Sequence, residues 1–211
     1  GAVHVLTACP VAVQSVTNGA AFTGGLSEET DEELRQRVLD SFQRLPNGAN
    51  AAWYEQTAMG HEGVAAARAV GRARGIGTVD VYIATAAGLP NGTLLAAVQA
   101  DLQERREIAV DVQVKAPAAV EMDVSAELAV REGTDFSAVK AAAEQALASF
   151  FSGRRLGGPV LLAELGDLLY HVEGVENYRL LAPAADLAAE DGTLPMLGRV
   201  TVTEMEADDD V

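Results

Sequence analysis

Residues 121–130 read EMDVSAELAV, and every second side chain in this stretch is apolar. A period of two is the pattern of a β-strand that buries one of its faces. Apolar side chains then recur at a spacing of three or four, which predicts a helix that continues to about Ser152. The apolar positions of this helix are Phe136, Val139, Ala143, Leu147 and Phe150. The stretch therefore predicts mixed helix and strand structure.

The pattern after this helix completes a small C-terminal unit with the order β-α-α-β-β. Its further predicted elements are a loop over 153–159, a helix over 160–172, and strands near 175–182 and 198–204. We expect a C-terminal α+β domain over 118–206, followed by an acidic tail over 207–211.

A second unit precedes Pro117, which begins a short hinge, and its predicted order is α-α-β-β-α-β. The predicted elements are helices from Thr30 to the Pro46 turn, over 51–59 and over 93–105, and strands over 64–70, 78–84 and 109–116. This order predicts a central α+β domain over 27–117, after the end of an N-terminal β region over 1–26. The expected fold class is α+β, with two small α/β-sandwich-like units preceded by a short β segment.

Composition excludes several classes of protein. The chain has 211 residues and a formal net charge of −16, which opposes binding to the nucleic-acid backbone. The pairs Arg105–Arg106 and Arg154–Arg155 are too short to follow a phosphate backbone, and we interpret both as solvated helix or loop ends. The sequence contains no apolar run long enough to span a bilayer. We therefore expect neither nucleic acid nor membrane insertion.

An acidic run supports two interpretations. Five of the six residues from Glu28 to Glu33 are acidic. Thr30 and Glu33 fit a capping box, and acidic side chains in a first helical turn complement the helix dipole, so the run is typical of a helix start. The alternative is a metal-dependent enzyme that uses the carboxylates near Asp31. That alternative requires further carboxylates or histidines to converge on Asp31 or Glu33, and the sequence offers no candidate.

The histidines, the cysteine and the aromatic residues favour a role in packing or binding over a catalytic one. His4, His61 and His171 are scattered without ligand spacing, and Cys9 has no basic neighbour. We therefore predict no catalytic residue, no cofactor and no metal. Only 5% of the residues are aromatic, so Trp53 and Tyr54 are expected either to pack under the first helix or to contact a partner. A small ligand- or carbohydrate-binding module is a further alternative, which would need exposed aromatic side chains.

One string carries a resemblance to a known family. Residues 15–42, SVTNGAAFTGGLSEETDEELRQRVLDSF, resemble the hallmark segment of the baseplate J-like family of contractile phage tails and related injection machines. The resemblance extends over nearly the whole chain, because the order and spacing of further motifs also match. These are Pro46 with Gly48, Asn50-Ala51 with Tyr54, EGVAAARAV (62–70), GIGTVDVYI (75–83), residues 98–124 and PMLGRVTV (195–202). The chain departs from the family at Arg106–Glu107, where members often have Arg-Pro.

The resemblance implies a structural role without catalysis. Family members are wedge components that assemble around a hub, bind further wedge subunits and link neighbouring wedges into a ring. The implied partners are other baseplate wedge and hub proteins and further copies of the chain, in a virion tail baseplate assembled in the bacterial cytoplasm. The interface candidates are Trp53, Tyr54, Glu28 and Glu29. A hinge at Pro117 would let the two units rotate when such a ring changes its diameter.

Overall fold

The computed structural model describes residues 50–205 and, before them, residues 17, 31, 34, 35 and 38. The chain divides into two compact units, residues 1–44 and residues 45–211, and the fold below is that of the second. Asp31, Leu34, Arg35 and Val38 are helical, as predicted for the segment after Thr30. Apart from residue 17, the predicted β segment over 1–26 lies outside the described residues. So do the Thr30–Glu33 capping box, Glu28, Glu29 and the tail over 207–211.

The central half, residues 50–117, contains two helices and a three-stranded sheet. Its elements are α1 (Ala51–Met59), β1 (Ala66–Gly71), β2 (Thr78–Ala84), α2 (Gly92–Arg105) and β3 (Asp111–Lys115). The strand order is β1-β2-β3, with β1 antiparallel and β3 parallel to β2. Both helices are capped by an asparagine: the Oδ1 atoms of Asn50 and Asn91 accept hydrogen bonds from backbone N–H groups three residues on, at 3.0 and 2.8 Å.

The C-terminal half, residues 118–205, has the predicted order of elements. They are β4 (Ala118–Val130), α3 (Phe136–Phe150), a 3₁₀ turn (Gly153–Arg155), α4 (Leu162–Tyr170), β5 (Val175–Ala182) and β6 (Thr193–Glu204). The strand order is β5-β4-β6, with β5 antiparallel and β6 parallel to β4. The α+β fold class is confirmed. The strand predicted from the alternation over 121–130 is also confirmed, and it begins earlier, at Ala118.

Strand β6 begins five residues earlier than the sequence predicts. Residues Thr193–Leu197 pair with Ala118–Met122 on β4, although Pro195 lies among them. Proline lacks the N–H group that a central strand needs. Because β6 lies at an edge of its sheet, its outer side can hold a residue without a donor.

Helix side chains satisfy backbone groups at both edges of the central sheet. The Glu55 carboxylate on α1 accepts a hydrogen bond from the Ala69 N–H on β1 at 3.1 Å. On the opposite edge, the Gln99 amide donates to the Val112 carbonyl at 3.0 Å and accepts from the Val114 N–H at 2.7 Å. Unpaired edge groups invite pairing with other chains, and these contacts satisfy some of them at each edge.

The two halves pack directly against each other. Ala84 of the central half and Leu156 and Leu194 of the C-terminal half form a buried cluster. The Arg68 guanidinium binds the Asp191 carboxylate across the same junction at 2.8 Å. Gly153 is so close to β2 that a Cβ atom there would lie 1.8 Å from the Thr85 carbonyl oxygen. These contacts would have to break before the halves could rotate about Pro117, so they oppose the rotation that the hinge hypothesis requires.

Candidate interaction surface

The two aromatic interface candidates lie on α1 and are buried to different degrees. Tyr54 is 1% exposed and belongs to the core of the central half, together with Val81 and Val98. Trp53 is half-buried and packs against this core, and the two rings meet edge to face with centroids 4.9 Å apart. Tyr54 therefore leaves almost no surface for a partner, and an interface role for Trp53 stays a prediction.

The hydroxyl of Tyr54 is buried without a hydrogen-bond partner among the described residues. Burial, followed by the nearby negative charge of Glu107, raises the pKa of this hydroxyl. A buried donor without a partner costs about 1–3 kcal/mol. The ring of Tyr54 therefore stabilises the core, whereas its hydroxyl does not.

A buried carboxylate on β2 is the main correction to the sequence-based description of that strand. Val79, Val81 and Ile83 alternate along β2, a pattern typical of a strand whose intervening side chains are polar or exposed, but Asp80 between them is 2% exposed. Two cationic side chains cover it: the Arg74 Nε atom lies 2.6 Å from one carboxylate oxygen, and the Lys115 Nζ atom lies 2.5 Å from the other. Arg74 belongs to the β1–β2 turn and Lys115 to β3, so neither contact could be derived from the local pattern.

The same cluster ties the turn to the neighbouring strand. Arg74 also binds the Asp111 carboxylate and donates to the Asp111 carbonyl oxygen at 3.1 Å. Burial alone would raise the pKa of Asp80, but the hydrogen bonds from Arg74 and Lys115 outweigh it and lower the pKa below its ordinary value. The hydrogen bonds to Asp111 and Asp80 raise the pKa of Arg74. The charges of the cluster therefore stabilise one another.

The β1–β2 turn presents Ile76 to solvent. Arg72 has a φ of 62°, a left-handed conformation that no other non-glycine residue in the described part of the chain adopts. Gly75 and Gly77 flank Ile76 with φ values of 117° and 78°, which only glycine adopts readily. The Arg72 N–H group donates to the Thr78 carbonyl at 2.7 Å and closes the turn. Ile76 is 94% exposed at its end.

The neighbouring loop, between α2 and β3, presents a second isoleucine. The Arg106 guanidinium donates to the carbonyl oxygens of Glu107, Ile108 and Val110 at 3.1, 3.2 and 2.5 Å. The loop therefore curls around this side chain, which corrects the interpretation of Arg106 as a solvated helix end. Ile108 on this loop is 101% exposed.

Arg155 of the other arginine pair also has a structural role. Its guanidinium lies 3.4 Å from the centre of the Phe150 ring and 2.8 Å from the Glu164 carboxylate. It therefore holds the 3₁₀ turn against α3 and α4. The arginine pairs misled the sequence analysis because the partners of Arg106 and Arg155 are backbone carbonyls, a ring and a carboxylate that the fold supplies.

The two exposed isoleucines lie at the same end of the central half, and we call them the double-isoleucine tip. Both line one open groove, with Gly77, Thr78, Arg106 and Asp111 among its other residues. Their loops are held together because the Asp111 N–H group donates to the Gly77 carbonyl at 2.8 Å. Sequence reasoning passed over both residues. The sequence did contain a sign of this exposure, because each isoleucine lies in a predicted connection between elements, where a side chain is not expected to be buried in the core.

The described ranges show neither a metal-binding cluster nor a helix that could span a membrane. Residues 50–205 and the few described before them contain no group of three or more His, Cys, Asp or Glu side chains that could hold a metal ion. Apart from Asp31, the acidic run lies outside these ranges. His61 pairs with Asp101 at 3.0 Å. No described helix is long and apolar enough to cross a membrane.

Family comparison matches the two halves in order. Residues 46–116 match the baseplate J-like central domain, and residues 122–203 match the baseplate J-like protein C-terminal domain. The chain belongs to the baseplate J-like family. The resemblance first noted in residues 15–42 is thereby confirmed from a different part of the sequence.

Two curated relatives match most of this chain. Baseplate protein J of Escherichia phage P2 is 29% identical over 163 residues, which cover 75% of this chain and 54% of that protein. An uncharacterised Bacillus subtilis protein, YqbT, is 24% identical over 192 residues, covering 85% of this chain and 55% of that protein. This baseplate J-like chain thus spans about half the length of the curated relatives it matches.

A solved structure shares the fold. A chain in the cryo-EM structure of the anti-feeding prophage baseplate superposes with a TM-score of 0.55 and is 16% identical. The match covers 86% of this chain and 46% of that one.

Proposed function

We propose that this baseplate J-like chain is a structural component of the baseplate of a contractile phage tail or a related injection machine. The observation that carries the proposal is the match of two consecutive family domains, over 46–116 and 122–203. The chain acts through protein–protein contacts and not through catalysis. Such a scaffold needs extended complementary surfaces, which depend on shape and charge rather than on reactive groups.

The proposed domain division lies at Pro117. It is supported by the boundary between the two family matches, at residues 116 and 122, and by the change from the first sheet to the second. On this division, residues 27–117 form a central domain and residues 118–206 a C-terminal domain. Because the halves share a buried cluster and an ion pair, they move as one body within the baseplate.

The proposed partners are baseplate wedge and hub proteins and further copies of this chain. The proposed location is the virion tail baseplate, assembled in the host bacterial cytoplasm. Trp53, Glu28 and Glu29 remain the proposed contact residues from the sequence, whereas the burial of Tyr54 opposes such a role for its side chain. The name of the P2 relative and the source of the superposed structure support this setting.

The test is to locate the protein in assembled particles. An epitope tag is placed on the protein as the cell makes it, tails are purified, and the tag is located by antibody labelling in electron micrographs. We expect label at the baseplate end of the tail and loss of complete baseplates when the gene is deleted. Tails that are complete without the protein, or that never contain it, would contradict the proposal.

A second measurement concerns direct association. Light scattering gives the mass of the purified protein alone and after mixing with each of the wedge and hub proteins of the same baseplate. We expect a stable complex with at least one of them. A catalytic role would instead require a reaction, and a change such as Asp31→Asn would then abolish that reaction while leaving assembly intact.

A further inference from the structure

The outer edge of β3 is covered in part by side chains of α2 and of the residue that follows it. β3 lies at an edge of its sheet, and the Asp111 N–H group donates to the Gly77 carbonyl at 2.8 Å, on the side of β2. Because successive residues of a strand direct their backbone groups to opposite sides, those of Val112 and Val114 point away from β2. Without α2, these groups would be open to another strand.

Gln99 on α2 takes the place of a neighbouring strand at this edge. Its side-chain amide donates to the Val112 carbonyl at 3.0 Å and accepts from the Val114 N–H group at 2.7 Å. In a parallel sheet, one residue makes the same two hydrogen bonds, to the carbonyl before and to the N–H group after the residue that lies opposite it. The Gln99 carboxamide therefore occupies the position that a residue opposite Gln113 would have in an added strand.

Arg106 extends this cover along the same edge. Its guanidinium donates to the carbonyl of Val110, immediately before β3. Seven residues separate Gln99 from Arg106, which is close to two helical turns, so both lie on the side of α2 that follows β3. Val98 and Leu102 fix the helix there, because both are buried in the core of the central half. One helix end thus satisfies backbone groups at positions 110, 112 and 114.

The sequence of β3 favours pairing with another chain if this cover is absent. Residues 109–116, AVDVQVKA, place valine at every second position from 110 to 114, and β-branched residues favour strands. Charged side chains can keep other strands away from an edge. The charges of β3 are already paired, because Asp111 binds Arg74 and Lys115 binds Asp80. They are therefore less able to repel a second copy of the chain.

The other sheet edges carry different obstacles to strand addition. On β1, the Glu55 carboxylate accepts from the Ala69 N–H group. On β6, Pro195 lacks a backbone donor. The pairing of β5 with β4 shifts its register at two points, and such irregularities hinder further pairing. Protection of the edges therefore recurs in both sheets, and at β3 it depends on Gln99.

We propose that Gln99, supported by Arg106, blocks the β3 edge and prevents a second copy of this chain from adding a strand there. The contact is a built-in inhibition of self-association, because it replaces the hydrogen bonds that an added strand would form. This inference goes beyond the proposed function and does not rest on it, since its test uses the purified protein alone.

The first test replaces Gln99 by methionine. Gln99→Met keeps the length of the side chain but removes both hydrogen bonds to β3. Light scattering over a series of protein concentrations is expected to give a mass that rises to at least about twice the wild-type mass, as a two-fold pair of edges requires. The matched control is Gln103→Met, the same change at an exposed position of α2, and it should keep the wild-type mass.

A second variant removes only half of the contact. The carboxylate of Gln99→Glu can accept from the Val114 N–H group but cannot donate to the Val112 carbonyl, so its mass should lie between those of wild type and Gln99→Met. Circular dichroism checks that each variant is folded. Folded variants that keep the wild-type mass at every concentration would overturn the proposal, and Gln99→Glu alone decides it if Gln99→Met does not fold.

The second test locates the contact between copies. A photoreactive benzoylphenylalanine replaces the exposed Gln113 on β3, or the exposed Gln145 on α3 as the control, in the wild-type and the Gln99→Met backgrounds. Irradiation should produce a covalent dimer from position 113 in the Gln99→Met background alone, joined to a peptide from residues 109–116 of a second copy. Dimers joined elsewhere, or formed equally from position 145, would contradict edge pairing. Either failure leaves the proposed function unaffected.

Discussion

The central and C-terminal halves are each built from three strands and two helices, but they bury different side chains. The core of the C-terminal half is entirely apolar. Its twelve buried residues lie on β4, β5 and β6, on the two helices and in the segment that connects the helices. The apolar core of the central half has seven. That half also buries two carboxylates, Asp80 and Glu55, and exposes two isoleucines. The C-terminal half is thus built around the larger apolar core. The central half has a smaller apolar core and uses buried charges to fix the elements that expose Ile76 and Ile108.

The largest expected effect comes from the apolar core of the C-terminal half. Leu128 lies on the central strand β4 and is fully buried, so Leu128→Ala should lower the free energy of unfolding by about 2–5 kcal/mol. Trp53, the single tryptophan of the sequence, reports on the central half. If the two halves unfold cooperatively, the urea midpoint measured by Trp53 fluorescence should fall together with the midpoint measured by circular dichroism. An unchanged fluorescence transition would show that the halves unfold independently.

Gly153→Ala tests the junction between the halves directly. A methyl group there would overlap the Thr85 carbonyl oxygen at 1.8 Å, so the 3₁₀ turn and β2 would have to separate. The expected cost is about 1–3 kcal/mol, and the two unfolding probes should then disagree because the coupling is weakened. Gly92→Ala is the control, since a Cβ atom at position 92 meets nothing within 4 Å. Coincident transitions and wild-type stability in Gly153→Ala would contradict the rigid junction.

Asp80→Asn tests the buried charges of the central half. The change leaves Arg74 and Lys115 without their buried partner, and we expect a loss of about 2 kcal/mol at neutral pH. The pKa of Asp80 is lowered in the folded state, so its contribution is complete above the ordinary value of 3.8 and disappears as the pH falls below that value. Urea unfolding of wild type and variant should therefore converge in acid. A difference that stays constant down to pH 2 would show that Asp80 acts through packing and not through its charge.

The same contrast explains what could be predicted from sequence. The alternation in β4 and the helical spacing of Val139, Ala143 and Leu147 were sufficient for the C-terminal half, because its apolar pattern and its burial agree. In the central half the elements were also predicted, but the surface was not. Asp80 is buried by residues 6 and 35 positions away in the sequence. The neighbourhood of Ile76 and Ile108 depends on the parallel pairing of β2 with β3, which no local pattern contains.

The smallest expected effect concerns Tyr54, where sequence reasoning weighed a core role against an interface role. Tyr54→Phe keeps the buried ring and its edge-to-face contact with Trp53 but removes a hydroxyl that has no partner among the described residues. Stability should stay unchanged or rise by up to about 1 kcal/mol, because the desolvation cost of the hydroxyl disappears. Thermal unfolding of the purified protein measures this, and incorporation into tails measures contact with a partner. A stable Tyr54→Phe variant that fails to enter tails would mean that the hydroxyl serves a partner.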